Sequence, residues 1–184
     1  MINNFPEIKD PILRTNLNIT FNHILVLSTL LLKKDFDDSL ITLSSFRKTI
    51  IIHTASIIEA LLMIIVKYEV NSGNIKTKDS WKYTDIRMLY KISPNKQVVG
   101  LIREQMPIDI NKLDFNRVID YCSKYHIIEP ELESNLDRVR SFRNRLHIGN
   151  LKRIDKLYND QDLEFVFDVA KDVKSIISSN KNYQ

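Results

Sequence analysis

The chain has 184 residues, 43% of them hydrophobic, with 27 Lys and Arg against 23 Asp and Glu; this is enough apolar matter for one core and too even a charge to mark a general polyanion binder. A single cysteine, Cys122, excludes an intramolecular disulfide, so a reduced, cytoplasmic setting is expected. Three glycines are too few for a fold built on many tight turns, and a single helical domain over 1–184 is expected instead.

The opening MINNFPEIKDPILR lacks a basic leader followed by an apolar run. The longest greasy stretch, Ile57 to Val66, is ten residues broken by Glu59. Neither export nor membrane insertion is therefore expected. From Pro11 to Leu32 apolar residues recur at helical density, with a proline near the start where helices tolerate one. A charged turn at Lys33 to Asp38 precedes a longer helix from about Ser39 to Val70, capped by Asp38 or Ser39 and stopped by Asn71-Ser72-Gly73. Its apolar residues lie on nearly every side, so it is expected to be central and buried.

Residues 74–113 are less regular. SWKYTDIRMLYKI has the composition of a short helix, while Ser93-Pro94-Asn95 and Met106-Pro107 break the pattern, so an irregular insertion is expected. Helical signals return at Asp114 to Tyr125, at Glu129 to about His147 with Pro130 in the first turn, and at Asp160 to Ser178. The fold class that follows is all-α, an antiparallel bundle of about five helices with an irregular insertion near residues 74–113.

Charge is concentrated in RVRSFRNRLHIGN, residues 138–150. Between Arg138 and Arg153 stand six basic residues, Arg138, Arg140, Arg143, Arg145, Lys152 and Arg153, and no Asp or Glu; outside them 21 basic residues face 23 acidic ones. At about 100° per residue, Leu132, Leu136, Val139, Phe142 and Leu146 form a buried stripe, and Arg140, Asn144 and His147 fall within about 60° of one another beside it. Guanidinium groups give forked hydrogen bonds to phosphate oxygens, an amide orients, and an imidazole moves a proton near neutral pH. This trio suits a phosphodiester whose ribose 2′-hydroxyl serves as nucleophile, a reaction that needs no metal and no cofactor. A solvated basic face, with His147 as a cation at a helix C-terminus, accounts for the same residues without catalysis.

Arg140 and His147, an Arg-x6-His pattern inside RVRSFRNRLH, resemble the Arg-x(4 to 6)-His signature of the HEPN superfamily, and FRKTIIIHTASIIEALL is similar to the long second helix of such domains. Arg47 and His53 also fit the signature, but six steps leave them about 120° apart on a helix, whereas seven steps bring Arg140 and His147 to within about 20°. The resemblance covers roughly residues 12–70 and 114–178. It implies a metal-independent endoribonuclease acting in toxin–antitoxin, antiviral defence or RNA-processing systems. Two copies would face each other in a homodimer with RNA in the shared cleft, and an antitoxin or other regulatory protein would be a further partner.

On that basis His147 is the general acid or base, Arg140 the phosphate and transition-state ligand, and Asn144 an orienting group. Arg143, Arg145, Lys152 and Arg153 are expected to bind substrate. Some toxin members carry a tyrosine two residues after the histidine, which a partner antitoxin modifies; Gly149 stands there in this chain. A non-catalytic module of the same architecture, binding nucleotide, RNA or a protein, is the alternative. Glu59, a carboxylate inside an apolar run, needs a partner. Arg140 or Arg143 would supply one and be held in place; the alternatives are solvent or a nearby hydroxyl. His23, His53, His126 and Cys122 have no metal-ligand spacing, so no metal site is expected.

Overall fold

A computed structural model of the chain describes residues 3–33, 39–76, 80–106, 109–145, 155–180 and 183, with backbone alone for 80–82. The described residues form five α-helices and one two-stranded antiparallel sheet. They fall into two compact units, Met1–Tyr68 with Asp114–Gln184, and Glu69–Leu113.

In the larger unit, α1 spans Pro11–Leu31, with the Asp10 carboxylate accepting from the Ile12 and Leu13 N–H groups and so satisfying two donors that a helix start leaves open. Helix α2, Leu40–Asn71, begins where Ser39 Oγ accepts from the Thr42 N–H. Eleven of its residues are buried, among them Ile50, Ile51, Ile58, Leu61, Leu62, Ile65 and Val66, and this broad apolar surface makes it the central helix. Burial of each such side chain stabilises the fold by about 1.5–3 kcal/mol. By length and composition α2 is also apolar enough to cross a membrane, but 56% of its most apolar window lies inside the protein's own core.

Helices α3, Phe115–Lys124, α4, Pro130–Asn144, and α5, Asp160–Ser179, complete this unit. Asp114 caps α3, Pro130 sits in the first turn of α4, and Asn159 with Asp162 forms a reciprocal capping box at the start of α5. Helix α4 buries Leu136, Val139 and Phe142, and α5 buries Val166, Val169, Val173 and Ile177, each set at steps of three or four. Leu132 is only half-buried, and Leu146, the last residue expected on the α4 stripe, lies outside the described residues. The Phe142 ring, near the end of α4, packs edge-on against Phe165 near the start of α5, with ring centres 6.3 Å apart. Cys122 is fully buried and its thiol is pushed up to about 12 by burial, which makes it a core residue and no nucleophile at neutral pH.

The smaller unit corrects the purely all-α expectation. Residues 80–106 are a β-hairpin, in which β1, Ser80–Ser93, pairs antiparallel with β2, Lys96–Met106, across the two-residue turn Pro94-Asn95. Neither a short helix nor an irregular insertion describes them. Register shifts at Tyr83/Asp85, Met88/Tyr90 and Lys91/Ser93 insert Thr84, Leu89 and Ile92 as extra residues in β1. Each shift resets the inside–outside alternation, so the period of two that marks a strand is lost from the sequence. Pro94 fixes φ for the first corner of the turn, and a residue read as a breaker is in fact a strand boundary.

Candidate functional site

The site predicted from sequence centres on the C-terminal half of α4. Phe142 anchors that turn in the core, touching Tyr158 and Phe165 edge-on. The polar residues around it are thereby aimed in fixed directions. Arg140 and Asn144, four residues apart, share a face as expected; Arg140 is half-buried and Asn144 exposed. His147, Gly149, Lys152 and Arg153 lie outside the described residues.

Every described arginine of the cluster meets a carboxylate, although none lies among residues 138–153. Arg138 reaches Asp162 at 3.9 Å and stacks on the Phe165 ring at 4.0 Å. Arg140 bonds Asp137 at 3.0 Å, one turn back on the same helix. Arg143 crosses to α2 and grips Glu59 with both guanidinium nitrogens, at 3.1 and 3.0 Å. Glu59 thus takes one of the two partners expected for it. Arg145 holds Asp155 at 3.1 Å. Arg145 and Asp155 flank residues 146–154 in the chain.

These pairs differ in what they cost to open. The Arg140–Asp137 pair lies on the surface at i, i+3, where such contacts contribute about 0.2–0.5 kcal/mol. A phosphate can compete for that guanidinium easily. Arg143 and Arg145 are committed to partners elsewhere in the chain, Arg143 in a forked pair and Arg145 with only 20% of its side chain exposed. Releasing either would strand a partly buried carboxylate. Arg140, and Arg138 with its longer 3.9 Å contact, are therefore the arginines of α4 that a substrate anion could recruit at least cost, and only Arg140 shares a face with Asn144.

Sequence reading missed Asp155 as an organiser of this region. It accepts from Lys48 Nζ of α2 at 2.6 Å, from Arg145, and from the Lys156 N–H, while Lys48 also donates to the Arg145 carbonyl. Burial pushes the Asp155 carboxyl up, but the bonds from Lys48, Arg145 and the Lys156 N–H together outweigh it and hold the group below the usual range. A depressed carboxyl contributes stability that is present above about pH 4, its unfolded value, and is lost as pH falls through the folded one. Asp155→Asn is thus expected to lower stability by about 1–2 kcal/mol at pH 7, a range reduced for partial solvent screening, with a smaller difference near pH 3. Urea unfolding at the two pH values reads this; a pH-independent loss would refute the ionic role.

Nearby, Lys156 bonds the buried Asp162 at 2.6 Å and lies over the Phe142 ring. Tyr158 is buried, its hydroxyl has no partner among the described residues, and its ionisation is pushed up to about 12, first by burial and then by the Asp155 charge. It remains neutral at physiological pH.

The second Arg-to-His match in the sequence is dispersed. Arg47 pairs with Asp160 at 2.8 Å, while the His53 ring meets His23 with centres 5.9 Å apart, and burial followed by the His23 charge lowers its pKa. A largely apolar cavity of about 490 Å³ lies between α1, α2 and α5, lined by Phe5, Phe21, Ile57 and Phe167, and no arginine of α4 lines it. Among the described residues no three His, Cys, Asp or Glu side chains gather where they could hold a metal ion. Comparison with protein-family models, with curated proteins and with solved structures finds no match to this chain.

Proposed function

We propose that this protein is a metal-independent endoribonuclease of HEPN type, an antiparallel helical bundle that works as a homodimer and cleaves RNA by attack of a ribose 2′-hydroxyl on the adjacent phosphorus. The observation that carries the reading is Arg140, half-buried beside Asn144 on one face of α4 and, among the described residues, paired only with Asp137 one turn back. His147 follows Asn144 by three residues, so covalent reach alone keeps their Cα atoms within about 11 Å.

In the reaction, His147 of one copy takes the 2′-hydroxyl proton as the O2′–P bond forms. His147 of the other copy gives a proton to the departing 5′-oxygen as the P–O5′ bond breaks, leaving a 2′,3′-cyclic phosphate and a 5′-hydroxyl. Arg140 meets the charge that builds on the non-bridging oxygens, and Asn144 orients the phosphate. The biological setting that fits is a toxin or defence component, with a regulatory protein as its counterpart.

The test is incubation of the purified chain with single-stranded RNA in EDTA, with analysis of the product ends. Cyclic phosphate and 5′-hydroxyl termini are expected, together with resistance of RNA methylated at the 2′-oxygens. Cleavage of the methylated RNA would sink the mechanism, and no cleavage at all would sink the activity. A second reading, a non-catalytic RNA- or protein-binding module, is favoured by the pairing of Arg138, Arg143 and Arg145 with carboxylates elsewhere in the same chain, which occupies most of the arginines around the end of α4. It predicts salt-sensitive binding without cleavage.

A further inference from the structure

Among the described residues the hairpin pairs with no third strand, which leaves two edges open to one. They are not alike. All three extra residues fall in β1, where bulges twist an edge and discourage pairing, while the eleven residues of β2 run without interruption, proline or, from Gln97 to Ile102, charge. Around them Tyr83, Ile86, Met88, Tyr90, Val99 and Leu101 are each 41–66% exposed. A two-stranded sheet alone in water is marginal, and three or more strands with an apolar face are needed for independent stability.

The sequence of β2 indicates what could supply the missing strands. KQVVGLIRE, residues 96–104, is self-complementary about Gly100, apolar against apolar, polar against polar and basic against acidic. Antiparallel pairing of two copies with Gly100 on the twofold axis sets Val99 against Leu101, Val98 against Ile102, Gln97 against Arg103 and Lys96 against Glu104, each contact occurring twice. Within the hairpin Lys82 stands opposite Glu104 and Ser93 opposite Lys96, so the β2–β2 pairing adds an opposite charge on the outer side of each. The neighbouring symmetric registers are poor. With Val99 on the axis Lys96 faces Ile102 and Gln97 faces Leu101; with Leu101 on it Val98 faces Glu104 and Val99 faces Arg103. Space above Gly100 is filled by Leu89, whose nearest side-chain carbon is 3.4 Å from where a Cβ would stand, so the axis itself is bordered by apolar atoms.

We propose that β2 pairs with β2 of a second copy of this chain, closing a four-stranded sheet in the order β1-β2-β2-β1 with Gly100 at its centre. Sheet closure removes the regular edge, and one face then carries Ile86, Met88, Val99 and Leu101 from both copies in two adjoining rows, bordered by Tyr83, Arg103 and Gln97. The inference does not rest on the nuclease reading.

Light scattering of the full chain over a range of micromolar concentrations tests it. A dimer is expected, with Lys96→Glu and Glu104→Lys each weakening association by about tenfold or more, because symmetry reverses two pairs at once. The combined variant Lys96→Glu with Glu104→Lys should restore the original constant. A chain that stays monomeric overturns the proposal, as does a dimer indifferent to both reversals, whose copies must meet elsewhere. Reversals that weaken without mutual rescue reject the register. A monomer would also remove the homodimer that the nuclease reading requires, whereas a dimer indifferent to both reversals overturns this proposal alone, so the charge reversals tell the two failures apart.

Discussion

Arg140→Ala should fold like the parent and cleave RNA about 10²–10³-fold more slowly, the usual effect of removing one group that stabilises charge in the transition state. The structural side of this expectation is small, because among the described residues Arg140 gives up only the i, i+3 bond to Asp137. Far-ultraviolet circular dichroism and the unfolding midpoint should therefore match the parent. His147→Ala should cost about 10²–10⁴-fold, the range for loss of general acid–base catalysis. Arg140→Lys keeps the charge but loses the fork, and its rate should fall between parent and alanine. An Arg140→Ala protein that cleaves at the parental rate would remove this residue from the chemistry. The same loss in Arg140→Ala and His147→Ala, with RNA affinity retained, would place both in the reaction and not in binding.

The helices were legible because each has local punctuation that its structure uses. Asp10, Asp114 and Asn159 cap their helices, Pro130 opens one, and the apolar residues of α2 and α5 recur at helical steps. The hairpin was not legible. Its three register shifts erase the alternation that would have announced β1, and Pro94 reads equally as a break in a helix or as a corner between strands. Periodicity reports an element only while the element keeps its period.

The site was legible by half. Arg140 and Asn144 share a face as the wheel requires, and Glu59 finds Arg143, one of the two arginines proposed for it, where solvent or a hydroxyl was the alternative. The charge of the cluster was misread, because a count over residues 138–153 stops just before Asp155 and just after Asp137. Charges pair across space. Asp162 and Glu59, 24 and 79 residues from Arg138 in the chain, neutralise the helix as effectively as sequence neighbours would. The i, i+3 spacing of Asp137 and Arg140 was the one signal available from sequence, and it marks the one pair of the four that lies within a single helix.

Glu59→Ala is expected to destabilise the protein by about 2–3 kcal/mol, less than the 3–5 kcal/mol of a fully buried pair because about a third of the Arg143 side chain and a fifth of the Glu59 side chain reach solvent. The loss has two parts: the forked bonds between α2 and α4, and the partly desolvated guanidinium left over the Phe115 ring. Arg143→Ala should cost a similar amount, since it also strips the alkyl stem from that packing. If the two side chains act as one unit, the double variant should be less destabilised than the sum of the singles by about 1–2 kcal/mol in urea unfolding. Additive losses would mean that each side chain stabilises the fold without the other. The same pair decides what Arg143 is for. Glu59→Gln cancels the carboxylate charge and releases the guanidinium, so a phosphate-binding Arg143 would then grip RNA more tightly. A clamp between helices would instead show lower stability with RNA affinity unchanged. The forked geometry favours the clamp, which leaves the contact with substrate to Arg140 on the Asn144 face of α4.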